Sequence, residues 1–266
     1  MKRYLSFFRM SFLSMIQYRA AALAGVATQF VFGWMLVMVM SAFYASSDAT
    51  QPMELSQAVT YIWLGQACLG MLPWNVDREI TGSVLDGKVA YELTRPIDLY
   101  SMWFMRTLAY RTAPTLLKAL PQFAISLFLL PKEYAMMAPG WAALGAWLAA
   151  FAMAVLLSTA ITNFMQSMIL FTVRSEGIMR FIPTLVTFLS GMIVPLRLMP
   201  DGVQLFMRLQ PFACVMDLPA QLFCGSLAPG NVVWVLPLQL VWIMAFVALG
   251  RLLMRDGTRR LAIAGG

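Results

Sequence analysis

Six apolar stretches, at 20–44, 57–74, 112–130, 140–173, 178–195 and 232–253, run between clusters of charge and proline. Each approaches or exceeds the roughly 20 residues that a helix needs to cross a bilayer. In hydrocarbon every backbone N–H and C=O has to be satisfied within the protein, so stretches of this kind fold as helices. The predicted fold is all-α: a polytopic membrane protein with six transmembrane helices in a single domain, 1–266. Composition agrees, because 61% hydrophobic and 12% charged residues exceed what a water-soluble core requires. The fourth stretch, at 34 residues, is long enough to tilt or to project beyond the membrane.

Ahead of the first stretch, Leu5, Phe8, Phe12 and Met15/Ile16 recur at helical spacing, with Lys2, Arg3, Ser6 and Arg9 largely off that stripe. The pattern predicts an N-terminal interfacial helix, 1–19, lying among lipid headgroups. The apolar run that follows is too long for a cleavable signal peptide and is read as an uncleaved span.

Charge orients the spans. With the N-terminus inside, the inner segments carry 15 Lys and Arg against three outside, Lys132, Arg197 and Arg208. This is the positive-inside bias, so both termini are expected in the cytoplasm. The net charge of +7 then reports topology and does not call for nucleic acid. Trp74 and Trp103 bracket the inner insert, and Trp141 and Trp234 open spans from the outer side, as interfacial indoles do.

Much chemistry is excluded. A chain without histidine builds no Ser-His-Asp triad, no HExxH zinc site and no histidine proton relay. Cys68, Cys214 and Cys224 show no CxxC spacing, and free thiols are the expectation over a Cys214–Cys224 pair. All twelve acidic residues fall outside the six stretches, which counts against a carrier that binds its coupling ion on an intramembrane carboxylate. Arg180 and Arg251 each lie two residues from the end of a stretch, and Lys118 alone among charged residues lies deeper inside one. It either attracts an anionic substrate group or snorkels to the headgroups. Asn163 and Gln166 either line a polar path or join helices.

The densest run of charge is 75–97, with Asp77, Arg78, Glu79, Asp86, Lys88, Glu92 and Arg95. Asn75 is a candidate helix cap, and Val76, Ile80 and Val84 fall on one helical face before Asp86-Gly87 turns the chain. Beyond the turn, Val89, Tyr91 and Leu93 alternate with polar neighbours, which predicts an extended arm ending at Arg95-Pro96. Residues 82–89 approach the phosphate-binding loop pattern, yet Val89 stands where a magnesium-binding hydroxyl belongs. An amphipathic helix held beneath the membrane is a surface for a soluble partner.

These residues carry a resemblance. Glu79-Ile80-Thr81-Gly82 with Leu93-Thr94-Arg95-Pro96-Ile97, followed by Gly191 to Pro195-Leu196, Met199-Pro200 and Gln210-Pro211-Phe212, resembles permease subunits of type-2 exporters among ATP-binding-cassette (ABC) transporters, in a bacterial subfamily. The resemblance implies a coupling helix near 76–85, with Val76, Glu79, Ile80, Gly82, Val84, Arg95 and Pro96 contacting a cytoplasmic ATPase. It implies re-entrant outer half-helices across 191–231, with Gly191, Pro195, Pro200 and Pro211 shaping an outer gate. It implies no catalytic residue and no cofactor in this chain, with ATP and Mg bound by the partner ATPase. It also implies a dimer with an identical or related permease, in the bacterial cytoplasmic membrane. An ion-coupled carrier and an intramembrane enzyme stay open as alternatives. The first would transport without ATP, and the second would turn over substrate without moving it.

Overall fold

The computed structural model describes residues 2–17, 19–46, 51–94, 96–171 and 176–264. Among them there is no strand. The helices are α1 (Lys2–Ile16), α2 (Arg19–Ser46), α3 (Leu55–Ala67), α4 (Arg78–Leu85), α5 (Val89–Leu93), α6 (Leu99–Ala124), α7 (Trp141–Ile169), α8 (Glu176–Leu189), α9 (Asp201–Leu209), α10 (Pro211–Val215), α11 (Asp217–Cys224) and α12 (Val232–Ala264).

Among the described residues, four continuous helical segments are long and apolar enough to cross a membrane: Ala20–Ser46, Leu99–Leu129, Trp141–Ile169 and Pro229–Arg259. At 27 to 31 residues each, and a rise of about 1.5 Å per residue, they exceed the ~30 Å hydrocarbon layer. The six apolar stretches therefore appear, among the described residues, as four long helices and two short ones. α3 has 13 residues and α8 has 14.

Local chemistry explains each difference. α3 gives way to a 3-10 turn, Leu69–Met71, and then to extended Leu72, because Pro73 disfavours helical geometry in the residue before it. α6 begins 13 residues earlier than the apolar stretch, at Leu99, since Asp98 caps it by accepting the Ser101 N–H at 2.9 Å. It continues through Pro114 and Pro121 into a π-helical turn, Ile125–Leu129. α8 stops at Leu189, and Gly191 takes φ +79°.

α7 is the central helix, packing on α6, α11 and α12. Its buried Ala143, Ala146, Ala150, Ala154 and Ala160 let these neighbours approach closely. The main core gathers Tyr61, Trp63, Leu64, Leu72, Leu157, Met165, Leu196 and Leu222. α1 lies against α6 and half-buries Phe8, Phe12, Met15 and Ile16, leaving Leu5, Met10 and Leu13 exposed. Of the four expected interfacial indoles, Trp141 is exposed, whereas Trp103 is buried and donates to Glu92 at 3.0 Å. All three cysteines are buried and free.

Gly191 sits where a side chain has no room. A Cβ there would lie 2.4 Å from the Tyr61 hydroxyl and 2.9 Å from Asp217 Oδ1. Gly225 also has positive φ, +75°, but faces open space. Gly191→Ala is expected to cost about 2–4 kcal/mol, adding overpacking to the left-handed penalty. Gly225→Ala is expected to cost only about 1–2 kcal/mol. Thermal inactivation of the two variants in detergent ranks them, and equal midpoints would show the Gly191 contact to be slack.

Candidate functional site

The 75–97 segment sits on one end of the bundle. Asp77, and not Asn75, caps α4, its Oδ1 accepting the Glu79 N–H at 2.9 Å. Asp77 Oδ2 also accepts Arg106 Nε at 2.6 Å, and the Arg106 guanidinium reaches on to Glu79. Arg106 thus fastens the start of α4 to α6. Val76, Ile80 and Val89 are buried, and Ile80 and Val89 pack with Leu99, Tyr100, Met102, Trp103, Leu170 and Met254. Val84 packs on the same cluster. The apolar face expected to meet a partner is therefore spent on the chain's own bundle. What faces outward is Arg78, Glu79, Leu85, Lys88 and Tyr91, with Leu85 57% and Tyr91 76% exposed.

The extended arm expected after Gly87 is instead helix α5. Its alternating pattern misleads because Val89 alone is buried while Tyr91 and Leu93 are exposed. Five residues sample too little of either period to separate them. Gly82 is half-buried with open space beside it, and Pro96 is exposed. Arg95 lies outside the described residues.

Sequence reasoning counted Arg111 among the inner cations, but it is 2% exposed at the seam of α6, α7 and the broken end of α3. Its Nη1 donates to the Leu72 carbonyl at 2.8 Å and to Asn75 Oδ1 at 3.2 Å. Its Nη2 donates to the Asn75 carbonyl and, at 2.9 Å, to Thr162 Oγ1, which also accepts from Nε at 3.2 Å. Nearby, Ser158 Oγ donates to the Met71 carbonyl. Where α3 breaks, these carbonyls lose helical partners, and two side chains replace them. Every acceptor around Arg111 is neutral, so its charge has no carboxylate beside it among the described residues.

A signal for this existed. Thr107, Arg111, Thr115, Lys118, Gln122 and Ser126 recur at spacings of three and four, a polar stripe along one face of α6. Starting the span at Thr112 cut the stripe in two. Thr107 Oγ1 donates to Gln166 Oε1 at 3.0 Å, and Asn163 Nδ2 donates to the Tyr100 carbonyl at 3.3 Å. Asn163 and Gln166 are fully buried in the α6–α7 seam, where they join helices. Lys118, by contrast, lines a cavity with Arg111.

At the opposite end, α10 and α11 are buried between α3, α7 and α12. Gln239 Nε2 joins the Cys214 and Ala150 carbonyls at 2.8 and 2.9 Å. Cys214 therefore lies level with positions nine residues into α7 and seven into α12, roughly 10–14 Å below the helix ends. Tyr61 Oη stands 2.8 Å from Asp217 Oδ1 and 3.0 Å from the Gly191 carbonyl. Asp217 also accepts the Leu196 N–H at 3.1 Å and Gln221 Nε2 at 2.6 Å. Asp217 is 0% exposed, so the chain does bury a carboxylate, although outside the six apolar stretches. Pro200 precedes α9, Pro211 starts α10 and Pro195 precedes a 3-10 turn, helix-start positions where a missing N–H costs little. Gln210 Oε1 caps α10 through the Phe212 N–H at 2.7 Å. Among the described residues no cluster of acids and thiols suits a metal ion.

Long apolar helices around a polar seam, with short buried helices at one end and a clamped amphipathic hairpin at the other, define a polytopic membrane protein. Residues 30–265 match the family of ABC-2 family transporter proteins. The chain belongs to that family. No curated protein matches it.

Arg111 offers a direct check on the seam. Arg111→Lys keeps the charge but loses the planar fork that reaches Leu72, Asn75 and Thr162 together. The expected cost is about 2–4 kcal/mol, with faster proteolysis within 75–97. Wild-type melting and cleavage in Arg111→Lys would remove Arg111 from this structural role.

Proposed function

We propose that this chain is the permease subunit of an ATP-driven exporter in a bacterial cytoplasmic membrane, working as a dimer with itself or a related permease. A separate cytoplasmic ATPase binds ATP and Mg, and this chain holds neither. Family membership supports the transport role. The observation that carries the coupling role is the attachment of α4–α5, clamped by Arg106, Arg111 and the Ile80–Val89 cluster while Leu85 and Tyr91 stay uncovered.

The contacts support a mechanical route. A push on α4 passes through Asp77–Arg106 to α6, and through Asn75 and Leu72 to Arg111 and Thr162 of α7. The same segment continues through the 3-10 turn into α3, which carries Tyr61 to Asp217 and Gly191. Closure of the ATPases on ATP would move α4. Displacement of α3 would then part Tyr61 from the α8–α11 connection and open the gate, and hydrolysis would reset it. In this reading Val76, Ile80 and Val84 hold the coupling helix to the permease. Arg78, Glu79, Leu85 and Tyr91 meet the ATPase, with Gly82 and Pro96 at the margin and Arg95 completing the loop.

An ion-coupled carrier draws on one observation, the buried Asp217 carboxylate. Its hydrogen bonds to Tyr61, Leu196 and Gln221 account for it as a latch. Export from ATP-depleted vesicles under an ion gradient would favour the carrier instead.

Purified alone, the chain should hydrolyse no ATP; hydrolysis without a partner would end the permease reading. Leu85→Asp combined with Tyr91→Asp should reduce co-purification of the ATPase at least tenfold while leaving the chain in the membrane, since neither side chain is buried. Undiminished co-purification would remove this face from the contact. Tyr61→Phe, which deletes only the latch hydroxyl, should raise ATP hydrolysis relative to substrate moved; unchanged stoichiometry would discard the gate assignment.

A further inference from the structure

The cavity between α2, the 69–75 segment and α6 measures about 290 Å³, and Gln29, Trp74, Tyr110, Arg111, Pro114 and Lys118 are among its lining residues. Two of these are cations and none of the lining residues is acidic. The Lys118 ammonium has no hydrogen-bond or salt-bridge partner among the described residues. Arg111 bonds only neutral acceptors. Trp74 Nε1, a donor and never an acceptor, is buried without a partner. Gln29 is 6% exposed and its Oε1 is likewise unpartnered. As an amide it can present N–H groups once its carbonyl and amine are exchanged.

The cavity thus holds more donors than acceptors, and positive charge without a counter-charge. Buried polar groups are normally satisfied, yet Trp74 Nε1 has no partner and the half-buried Lys118 ammonium has no counter-charge among the described residues. The missing chemistry is an anionic acceptor with several lone pairs. The Lys118 stem lies against Gly25 of α2, where a Cβ would stand 2.8 Å from Lys118 Cε and 3.0 Å from Nζ, which places the ammonium between α2 and α6. The small residue admits the lysine between helices.

We propose that this cavity binds an oxyanion, a phosphate or a carboxylate, carried by an amphiphilic molecule whose apolar part lies along α2 and α6. Lys118 and Trp74 contact the oxyanion directly, Gln29 turns its amide toward it, and Arg111 supplies field from a fixed position. The volume is that of about ten waters, larger than a bare phosphate needs. This deepens the exporter reading by naming the charge class of its cargo, while binding itself does not depend on that reading.

The test uses the full chain in neutral detergent without an ATPase. Binding of dodecyl phosphate, laurate and dodecyltrimethylammonium is measured by equilibrium dialysis, with inorganic phosphate as competitor. The two anionic amphiphiles are expected to bind at least tenfold more tightly than the cationic one. Lys118→Gln should weaken them at least tenfold and Trp74→Phe severalfold, whereas Lys132→Gln, outside the cavity, should change nothing. Absence of competition by phosphate supports the amphiphile as source. Competition at similar concentration supports the oxyanion site and overturns the amphiphile part. Equal binding of anionic and cationic amphiphiles, or full affinity in both cavity variants, overturns the site. Should Lys118→Gln fail to fold, Lys118→Arg, which keeps a cation, and Trp74→Phe decide between the outcomes. Failure here leaves ATPase coupling untouched, and failure of ATPase coupling leaves this binding measurement untouched.

Discussion

A peptide carbonyl released from a helix at membrane depth has no water to turn to, and its desolvation costs several kcal/mol unless the protein supplies a donor. The chain incurs that cost where α3 ends. The 3-10 turn, extended Leu72 and Pro73 leave the Met71, Leu72 and Asn75 carbonyls outside any helix of full length. Ser158 and Arg111 supply the donors. This arrangement permits a non-helical segment inside the bundle, and the segment leads directly into α4. Without the Arg111 fork, the end of α3 and the hairpin beneath it would have no common anchor on α6 and α7.

The opposite end solves the same problem with different residues. The chain between α8 and α12 breaks repeatedly, and three of the freed backbone groups meet side chains: the Phe212 N–H meets Gln210, the Leu196 N–H meets Asp217, and the Cys214 carbonyl meets Gln239. Prolines at helix starts remove donors that would otherwise need partners. Positive φ at Gly191 lets the chain reverse against Tyr61 without a Cβ in the way. The two broken regions are linked by α3, a single helix of 13 residues that carries Tyr61 and leads into the 3-10 turn.

The hairpin shows how a periodicity can be read without revealing which surface covers it. Val76, Ile80 and Val84 do share one side of the segment, as their spacing requires, and that side does bury apolar surface. Hydrophobic periodicity reports that a face leaves water; it does not report whether the covering surface belongs to the same chain or another. Leu85, off the stripe, was unremarkable in the sequence because single exposed apolar residues are common, and Tyr91 was read as one face of an extended arm. They stand out only once the stripe is seen to be covered.

Read alone, the amino-acid sequence established an all-helical membrane protein, an amphipathic N-terminal helix, a charged hairpin after the second apolar stretch and irregular structure after Gly191, because composition and short-range period carry those properties. Tertiary structure decided that two apolar stretches form short helices, that α6 starts before its two arginines, and that Asp217 is buried. The partners that make this possible lie far along the chain: Arg111 meets Thr162 across 51 positions, and Tyr61 meets Asp217 across 156. A window of hydropathy prices each polar residue as if it faced lipid alone. Folding changes that price by bringing the hydrogen-bond partner, so the charges that end a span and the charges that hold the bundle together look alike until the helices are packed.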